Sequence, residues 1–241
     1  MEVRYSVLFI FCLFVAQSCS KKSEPPSNYV MGTLVFAQGT ESEPLSDENL
    51  QRVLNIFHDV DLQMCEWKPD SPLSMVNLLA GNRPVKVPSD VFNAVKRSLE
   101  IAKLTSGCFD PTWAAFWELW DFSPSTKGIV PSKEQIESRL PLVNWEAVQM
   151  NDQGRTIFLP ESGMMLGLGG IAKGVAVDQS ATELKKRGIK NFMLVAGGQV
   201  FVSGTNDGVP WKVGIRQPGG KPDALIATIH ATDTCISTSG D

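Results

Sequence analysis

Three stretches of the chain carry apolar residues at the spacing of an amphipathic helix. The first follows Ser46 and the second follows Ser89, and serine is a good helix N-cap. The third runs over residues 171–187 and stops at Gly188, which suits the end of a helix. The apolar positions of the first two helices are Leu50, Val53, Leu54, Phe57, Val60 and Met64, and then Val91, Phe92, Val95, Leu99 and Ala102.

Two shorter helices are predicted from their capping residues. Asp110 stands before Pro111, which is the order expected of an N-cap and a first helical residue. Ser132 and Gln135 have the spacing of a capping box and begin the other short helix. The helix after Asp110 carries four aromatic residues that we expect to form a wedge in the core: Trp113, Phe116, Trp117 and Trp120.

Strand patterns lie between and after these helices. Residues 29–37 form the first predicted strand, and the turn 151–154 separates two short apolar runs that predict a hairpin. Hairpins and helices do not alternate as βαβ units, so the predicted fold class is α+β, with mixed or antiparallel sheets and packed helices. Further strands are predicted at 191–195, 200–202, 211–215 and 224–230.

One tryptophan lies in a segment without regular structure. Pro69 and Pro72 interrupt any helix or strand there, so we expect Trp67 to lie on a loop. A loop tryptophan can stack on a planar ligand or cover the core, and the pattern alone leaves both interpretations open.

The N-terminal part of the chain has the residue pattern of a targeting segment instead of a folded domain. Residues 7–16 form an apolar run that is too short to span a membrane but suits the core of a signal peptide. Small residues precede Cys19 and a polar stretch follows it, which resembles a bacterial lipoprotein signal. We therefore expect a signal peptide at 1–18, lipidation of Cys19, a tether at 19–28 and one domain at 29–241. An ordinary cleaved secretory signal is the alternative, and both place the mature protein outside the cytoplasm.

Composition and charge argue against several classes of function. A net charge of −4 disfavours a general nucleic-acid binder, which normally has a basic surface. The two histidines, His58 and His230, are far apart and the five cysteines lack Cys-x-x-Cys spacing, so a zinc site is not expected. The same lack of histidine, together with the absence of a Gly-x-Ser-x-Gly elbow, disfavours a hydrolytic triad.

The glycine-rich stretch 167–174 is the strongest candidate for a binding site. It lies between a short apolar run and a predicted helix, where glycines let backbone N–H groups approach a bound anion and the helix start adds donors. Lys173 supplies a positive charge, so the stretch predicts a phosphate or pyrophosphate site. It does not fit the P-loop pattern, because Ala172 precedes the lysine and Gly174 follows it. A dinucleotide fingerprint fits only loosely, since no acidic residue ends the next strand near Val195.

Several further motifs follow one another along the chain. They are Val-Met-Gly-Thr at 30–33, Trp-Lys-Pro-Asp-Ser-Pro-Leu-Ser-Met-Val-Asn at 67–77, Thr-Ser-Gly-Cys-Phe-Asp-Pro-Thr at 105–112 and Ser-Thr-Ser-Gly-Asp at 237–241. With the glycine-rich stretch and Gly197-Gly198, they resemble the FAD:protein FMN transferase family of ApbE type, formerly called thiamine biosynthesis lipoproteins. The resemblance implies an ApbE-like fold that lacks its C-terminal part here, because the family continues past this last motif with a histidine motif and further acidic and Thr/Ser residues.

The resemblance also implies an activity and a set of site residues. The family uses Mg²⁺ to transfer the FMN half of FAD to a Ser or Thr hydroxyl of a target protein, and AMP is released. Gly170 falls where a backbone carbonyl helps to hold Mg²⁺. Gly167 falls on a flavin-nucleotide position at which the family has an aspartate, and Trp67 stands where tyrosine is more usual. The other implied FAD-binding residues are Met31, Cys108, Phe109, Asp110 and Lys173.

Two functions, and a third interpretation without function, stay open at this point. The chain is expected to be a transferase that acts on a flavin-accepting protein. A lipid at Cys19 is expected to anchor it in the bacterial cell envelope, at the periplasmic face of the inner membrane. The alternative is a non-catalytic FAD-binding lipoprotein, favoured by Gly167 and by the missing Mg²⁺ ligands. The third interpretation is an inactive fragment.

Overall fold

A computed structural model describes residues 28–120, 130–221 and 224–239. The expected signal peptide at 1–18, Cys19 and all but the last residue of the tether lie outside the described residues, as do Gly240 and Asp241 of the closing motif. Within the described ranges the fold is α+β, as predicted, and its strand pairings are antiparallel. None of the helices in these ranges is long and apolar enough to cross a membrane.

The helices and strands follow one another in a mixed order. The α-helices are α1 (Asp47–Met64), α2 (Pro72–Leu78), α3 (Ser89–Leu104), α4 (Lys133–Arg139) and α5 (Ala172–Lys186). Short 3-10 helices cover Pro111–Leu119, Leu140–Leu142 and Trp145–Ala147. The strands are β1 (Tyr29–Val30), β2 (Thr33–Gly39), β3 (Val85–Lys86), β4 (Gln149–Asn151), β5 (Thr156–Phe158), β6 (Phe192–Ala196), β7 (Gln199–Ser203), β8 (Trp211–Arg216), β9 (Leu225–Ala231) and β10 (Thr234–Ser237).

The largest sheet determines where the candidate site lies. Its strand order is β1-β2-β6-β7-β10, and β3-β5-β4 and β8-β9 form two smaller sheets. Helices α1 and α5 pack on each other, α1 also contacts β1 and β2, and α5 contacts β6 and β7. Their apolar faces, such as Phe57 of α1 and Leu184 of α5, are fully buried in the main core. This packing holds the start of α5 against the sheet.

Several helix starts agree with the capping residues found in the sequence. Ser46 accepts a hydrogen bond from the Asn49 backbone N–H at the start of α1. Ser132 forms the expected reciprocal capping box with Gln135 at the start of α4. Asp110 caps the helix at Pro111–Leu119, which is wound as a 3-10 helix. The predicted hairpin is formed by β4 and β5, and α5 ends beside Gly188.

The first predicted strand, 29–37, is wrong as a single strand. The chain turns back at Met31 and Gly32, so β1 and β2 form a tight antiparallel hairpin in which Val30 pairs with Thr33. Both turn residues have positive φ, +53° for Met31 and +71° for Gly32. A two-residue turn of this kind matches the twist of the strands, and glycine accepts the conformation without steric cost.

Helix α3 does not begin with a Ser89 cap. Pro88 is the N-cap residue, no side chain caps the helix, and the Pro88 carbonyl accepts the first helical hydrogen bond from Phe92. The prolines near Trp67 do not exclude a helix either, because Pro72 is the first residue of α2, a position that needs no N–H donor. Ser71 caps that helix by accepting a hydrogen bond from the Ser74 N–H.

The expected aromatic wedge in the core is also wrong. In the 3-10 helix at Pro111–Leu119 the residues that are buried side by side are Ala114 and Ala115, whereas Trp113 is 41% exposed. Trp117 is half-buried. A 3-10 helix has three residues per turn instead of 3.6, so the face that it buries differs from the one predicted for an α-helix.

Candidate functional site

The glycine-rich loop before α5 is held in place by hydrogen bonds from two other elements. The Asn77 side chain, on α2, accepts from the Leu166 N–H at 2.8 Å and donates to the Leu166 carbonyl at 2.9 Å. The Gly167 N–H donates to the Pro111 carbonyl at 2.9 Å. Leu166 and Leu168 are fully buried on either side of Gly167. The loop is therefore a fixed part of the structure.

The start of α5 offers positive charge and free donors. Its N-cap residue is Ile171, whose side chain cannot cap the helix, and the first turn contains no acidic residue. The backbone N–H groups of Lys173 and Gly174 have no backbone acceptor within the described part of the chain. Such a terminus attracts anions, because its N–H groups and the helix dipole both favour negative charge.

Lys173 lies in this first turn and is half-buried. No carboxylate forms an ion pair with it within the described ranges. A lysine at a helix N-terminus is disfavoured by the helix dipole, and here no partner offsets that cost. This placement suits a cation that binds an anionic ligand.

Phe109 and Cys108 lie in the turn after α3, next to the glycine-rich loop. A Cβ atom placed on Gly170 would stand 3.2 Å from Cε2 of the Phe109 ring, so the ring rests on the loop backbone. Cys108 is exposed. The turn is set by positive φ at Ser106 and Gly107. The structure thus brings the Phe109 ring against Gly170, in the loop that leads to the start of α5.

The Asp110 carboxylate is used by the local structure. Its Oδ1 accepts from the Thr112 N–H at 2.8 Å and from the Thr112 hydroxyl at 2.6 Å, and its Oδ2 accepts from the Trp145 N–H at 3.3 Å. The Thr112 hydroxyl in turn accepts from the Asn144 N–H at 2.7 Å. The structure therefore assigns Asp110 a role in positioning the Phe109 turn, whether or not it also contacts a ligand.

Trp67 lies on a loop, as predicted, and 62% of its surface is exposed. Its ring centroid is 4.5 Å from that of Trp117, at an interplanar angle of 68°. The ring centroid of Trp113 is 4.4 Å from that of Trp117. The neighbouring indoles hold the Trp67 ring in position while leaving much of it open. A planar ring of a ligand can stack on such a surface.

Met31 and the Gly197-Gly198 turn meet at one end of the main sheet. A Cβ atom on Gly197 would lie 2.6 Å from the Thr33 hydroxyl, next to the Met31 turn. A Cβ atom on Gly174 would lie 3.4 Å from the Gln199 side-chain nitrogen, which places the start of α5 at the same end. The Met31 turn, the Gly197-Gly198 turn and the start of α5 therefore lie at the same end of the sheet.

The closing motif reaches the same end of the sheet. The Thr238 N–H donates to the Gly198 carbonyl at 2.8 Å, directly after β10. A cavity of about 800 Å³ opens beside this contact, between the main sheet and the β8-β9 ribbon. Its lining includes Gly197, Gly198, Val200, Val213, Ile236 and Thr238.

The chain is similar to known proteins along most of its length. The family model described as ApbE family matches residues 31–241. A FAD:protein FMN transferase from Vibrio cholerae is 30% identical over 235 residues, which are 95% of this chain and 70% of that protein.

The chain belongs to the ApbE family.

Other members agree with this assignment in sequence and in structure. The FAD:protein FMN transferase of Escherichia coli K12 is 26% identical over 257 residues, with 100% of this chain and 73% of that protein covered. The crystal structure of the ApbE protein from Thermotoga maritima has a TM-score of 0.76 at 28% identity, covering 88% of this chain and 68% of that one. The flavin transferase ApbE from Vibrio cholerae gives the same TM-score and identity, covering 88% and 69%. The chain is therefore a member of a transferase family with the ApbE fold.

Mg²⁺ is the one expected ligand whose site the described residues do not complete. The resemblance assigns it the Gly170 carbonyl, but Mg²⁺ prefers six oxygen ligands, usually with help from carboxylates. Within the described residues there is no group of three or more His, Cys, Asp or Glu side chains that could hold a metal ion. Within these residues the Gly170 carbonyl alone does not complete a Mg²⁺ site.

Three residues around the glycine-rich loop were not predicted from the sequence as candidate site residues. Glu66 precedes Trp67, and burial of its carboxyl raises the pKa of Glu66 above the ordinary value, although a hydrogen bond from its own backbone lowers it in part. The Asn77 side chain holds the loop through the Leu166 backbone. Asn77 lies in the motif at 67–77, and a polar amide without an evident role in that motif is the signal that could have identified it. Trp117 was assigned to the core.

Proposed function

We propose that this protein binds FAD and transfers its FMN half to a Ser or Thr hydroxyl of a target protein, with release of AMP. The observation that carries the proposal is the half-buried Lys173 at the uncapped start of α5, directly after the glycine-rich loop, without an ion-pair partner among the residues that the structure describes. A pyrophosphate supplies the negative charge that this terminus lacks. The names of the relatives support FAD as the source of that pyrophosphate.

Each residue of the site has a defined part in binding FAD. Lys173 and the free N–H groups of the first turn of α5 bind the pyrophosphate, and Trp67 stacks on a planar ring of the nucleotide. The Phe109 ring rests on the loop at Gly170, Cys108 precedes it in the same turn, and the Met31 turn lies at the same end of the sheet as the start of α5. Because the loop is clamped through Asn77 and Gly167, the donors are already in position before FAD arrives, which favours binding and catalysis.

The transfer exchanges the phosphoanhydride bond between the two halves of FAD for a phosphoester bond to the acceptor. The oxygen of the acceptor hydroxyl forms a bond to the phosphorus of the FMN half, and the bond from that phosphorus to the bridging oxygen of the pyrophosphate breaks. AMP leaves with the electron pair of that bond, and the hydroxyl proton passes to solvent. Lys173 stabilises the negative charge that develops on the phosphate oxygens, which is the main protein contribution in phosphoryl chemistry.

The Mg²⁺ dependence that the resemblance implies stays a prediction. Mg²⁺, when bound, neutralises phosphate charge. Transfer measured with and without a chelator checks this dependence: loss of transfer in the chelator and its return with added Mg²⁺ are expected. Equal transfer in both conditions would contradict it.

The second candidate function is a non-catalytic FAD-binding protein. The observation that favours it is the lack of a carboxylate cluster near Gly170 within the described part of the chain. Calorimetric titration of the complete protein with FAD tests what the two functions share, and the absence of saturable binding would contradict both. Flavin that stays on an acceptor protein after denaturation supports the transferase, whereas flavin that is released as FAD supports the binding protein.

Trp67→Ala should weaken FAD binding about tenfold, because a stacking surface is lost. Trp67→Tyr keeps a planar ring and should stay within about threefold of the unchanged protein. Titration of flavin fluorescence with each variant measures both dissociation constants. Equal affinities for the alanine and tyrosine variants would show that the Trp67 ring does not contact the nucleotide.

The cellular location is proposed from the sequence, since 1–27 lies outside the described residues. We propose that Cys19 carries a lipid that anchors the protein at the periplasmic face of the inner membrane, close to its flavin-accepting partner. Cys19→Ala should prevent acylation, move the protein out of the membrane fraction and abolish incorporation of labelled palmitate. Unchanged labelling of the variant would exclude Cys19 as the acylated residue.

A further inference from the structure

The space beside Gly167 is occupied by a side chain from another part of the chain. A Cβ atom on Gly167 would lie 3.0 Å from the Ala114 Cβ and 3.3 Å from Oε1 of Glu66. The same position is 3.5 Å from Nε1 of Trp117. Gly167 has only a hydrogen atom as its side chain. A larger side chain at this position would come into close contact with the Glu66 carboxylate.

Glu66 and the glycine-rich loop are positioned by the same short helix. The Ser74 hydroxyl, on α2, donates to the Glu66 carbonyl at 3.0 Å, and the Ser71 hydroxyl donates to the Cys65 carbonyl at 2.7 Å. From the same helix, Asn77 holds the backbone of Leu166. The backbones of Glu66 and of the loop are therefore both held by α2, and the Glu66 carboxylate lies beside Gly167.

One polar group at this place lacks a hydrogen-bond partner, and the Glu66 carboxyl lacks a cation among the described residues. The indole N–H of Trp117 is buried without a hydrogen-bond acceptor. No cation forms an ion pair with Glu66 within the part of the chain that the structure describes. Unpaired polar groups at the edge of a fold cost free energy, and a ligand that pairs with them recovers it. The open face of Trp67, the next residue after Glu66, lies beside them.

We propose that Glu66 is a binding residue of the flavin site, whose carboxylate accepts a hydrogen bond from an N–H or O–H group of the flavin nucleotide beside Gly167. The inference rests on the proposed function, because it takes FAD as the ligand. Glu66 gives the site an acceptor beside Gly167, in the loop that leads to the cationic start of α5. Lys173 selects for the anionic pyrophosphate, and Glu66 selects for a donor group elsewhere on the same molecule.

Calorimetric titration with FAD tests the inference on the complete protein and three variants. Glu66→Ala should weaken FAD binding about 10- to 100-fold, the range expected when a hydrogen bond to a charged group is lost. Glu66→Gln keeps an acceptor oxygen of similar position and should stay within about tenfold. Glu137→Ala removes an exposed carboxylate from α4 and should bind FAD like the unchanged protein.

Thermal unfolding of each variant separates binding from a purely structural role. A structural role would lower the unfolding temperature of Glu66→Ala while the folded variant kept its FAD affinity, and that result would overturn the inference. Equal FAD affinity of Glu66→Ala and the unchanged protein would also overturn it and leave the proposed function intact. No FAD binding by the unchanged protein would overturn the proposed function and this inference with it.

Discussion

Lys173→Ala should lower the rate of FMN transfer about 100- to 1,000-fold. The side chain is the one cation found in the first turn of α5, and removing a preorganised group that stabilises developing charge typically costs this much. FAD affinity should fall as well, by about 10- to 100-fold, because a charge-assisted contact to the pyrophosphate is lost. The initial rate of covalent flavin incorporation at saturating FAD measures the first effect, and calorimetry measures the second.

Two controls make the result specific to Lys173. Lys186→Ala removes an exposed lysine from the far end of the same helix and should leave both quantities unchanged. The stability of Lys173→Ala should be equal to or slightly above that of the unchanged protein, because a lysine at a helix N-terminus opposes the helix dipole. Wild-type transfer by Lys173→Ala would contradict the assignment of the pyrophosphate site, and reduced transfer explained by a lower unfolding temperature would do the same.

Asn77→Ala should lower the free energy of unfolding by about 2–5 kcal/mol. The substitution leaves the N–H and the carbonyl of Leu166 without partners next to fully buried residues, and each such group costs about 1–3 kcal/mol. Urea unfolding followed by circular dichroism measures the change. FAD affinity should decrease together with stability, because the loop that carries Gly167 and Gly170 loses its clamp.

Asn82→Ala is the matched control for this loss. Asn82 is exposed in the turn after α2, and its removal should change the free energy of unfolding by less than about 0.5 kcal/mol. Asn77→Asp keeps the acceptor but not the donor, so its stability should fall between those of the alanine variant and the unchanged protein. An Asn77→Ala protein as stable as the Asn82→Ala protein would show that the clamp does not hold the loop.

Local signals in the sequence predicted much of the fold. Ser46 and Ser132 mark the starts of α1 and α4, because a capping bond depends only on residues within one turn. The β4-β5 hairpin was predicted for the same reason, since its turn joins the two strands directly. The hairpin at Met31 was missed because its turn lies inside a mainly apolar run, and only the pairing of Val30 with Thr33 shows where β2 begins.

The candidate site was predicted in part, through its motifs. Lys173 was predicted from the glycine-rich pattern and Trp67 was singled out on its loop, whereas Met31, Phe109 and Gly170 came from the resemblance. The structure places the Phe109 ring against Gly170, in the loop that leads to Lys173. Glu66 carried no signal, since it touches the loop about a hundred positions away along the chain and one sequence does not reveal such a contact. The role of Asp110 as an N-cap was predicted from Pro111, whereas its bond to Trp145 depends on tertiary structure.

Covalent flavin on an acceptor protein is the most direct test of the proposed transfer. The complete protein is incubated with FAD, Mg²⁺ and a protein that the transferase of Vibrio cholerae flavinylates in a parallel reaction, and the acceptor is then denatured and weighed by mass spectrometry. A mass increase of one FMN residue on a Ser or Thr of the acceptor, with AMP formed in equal amount, is the expected result. An unmodified acceptor, although the Vibrio enzyme modifies it and this protein binds FAD, would contradict the transferase and leave a flavin-binding protein.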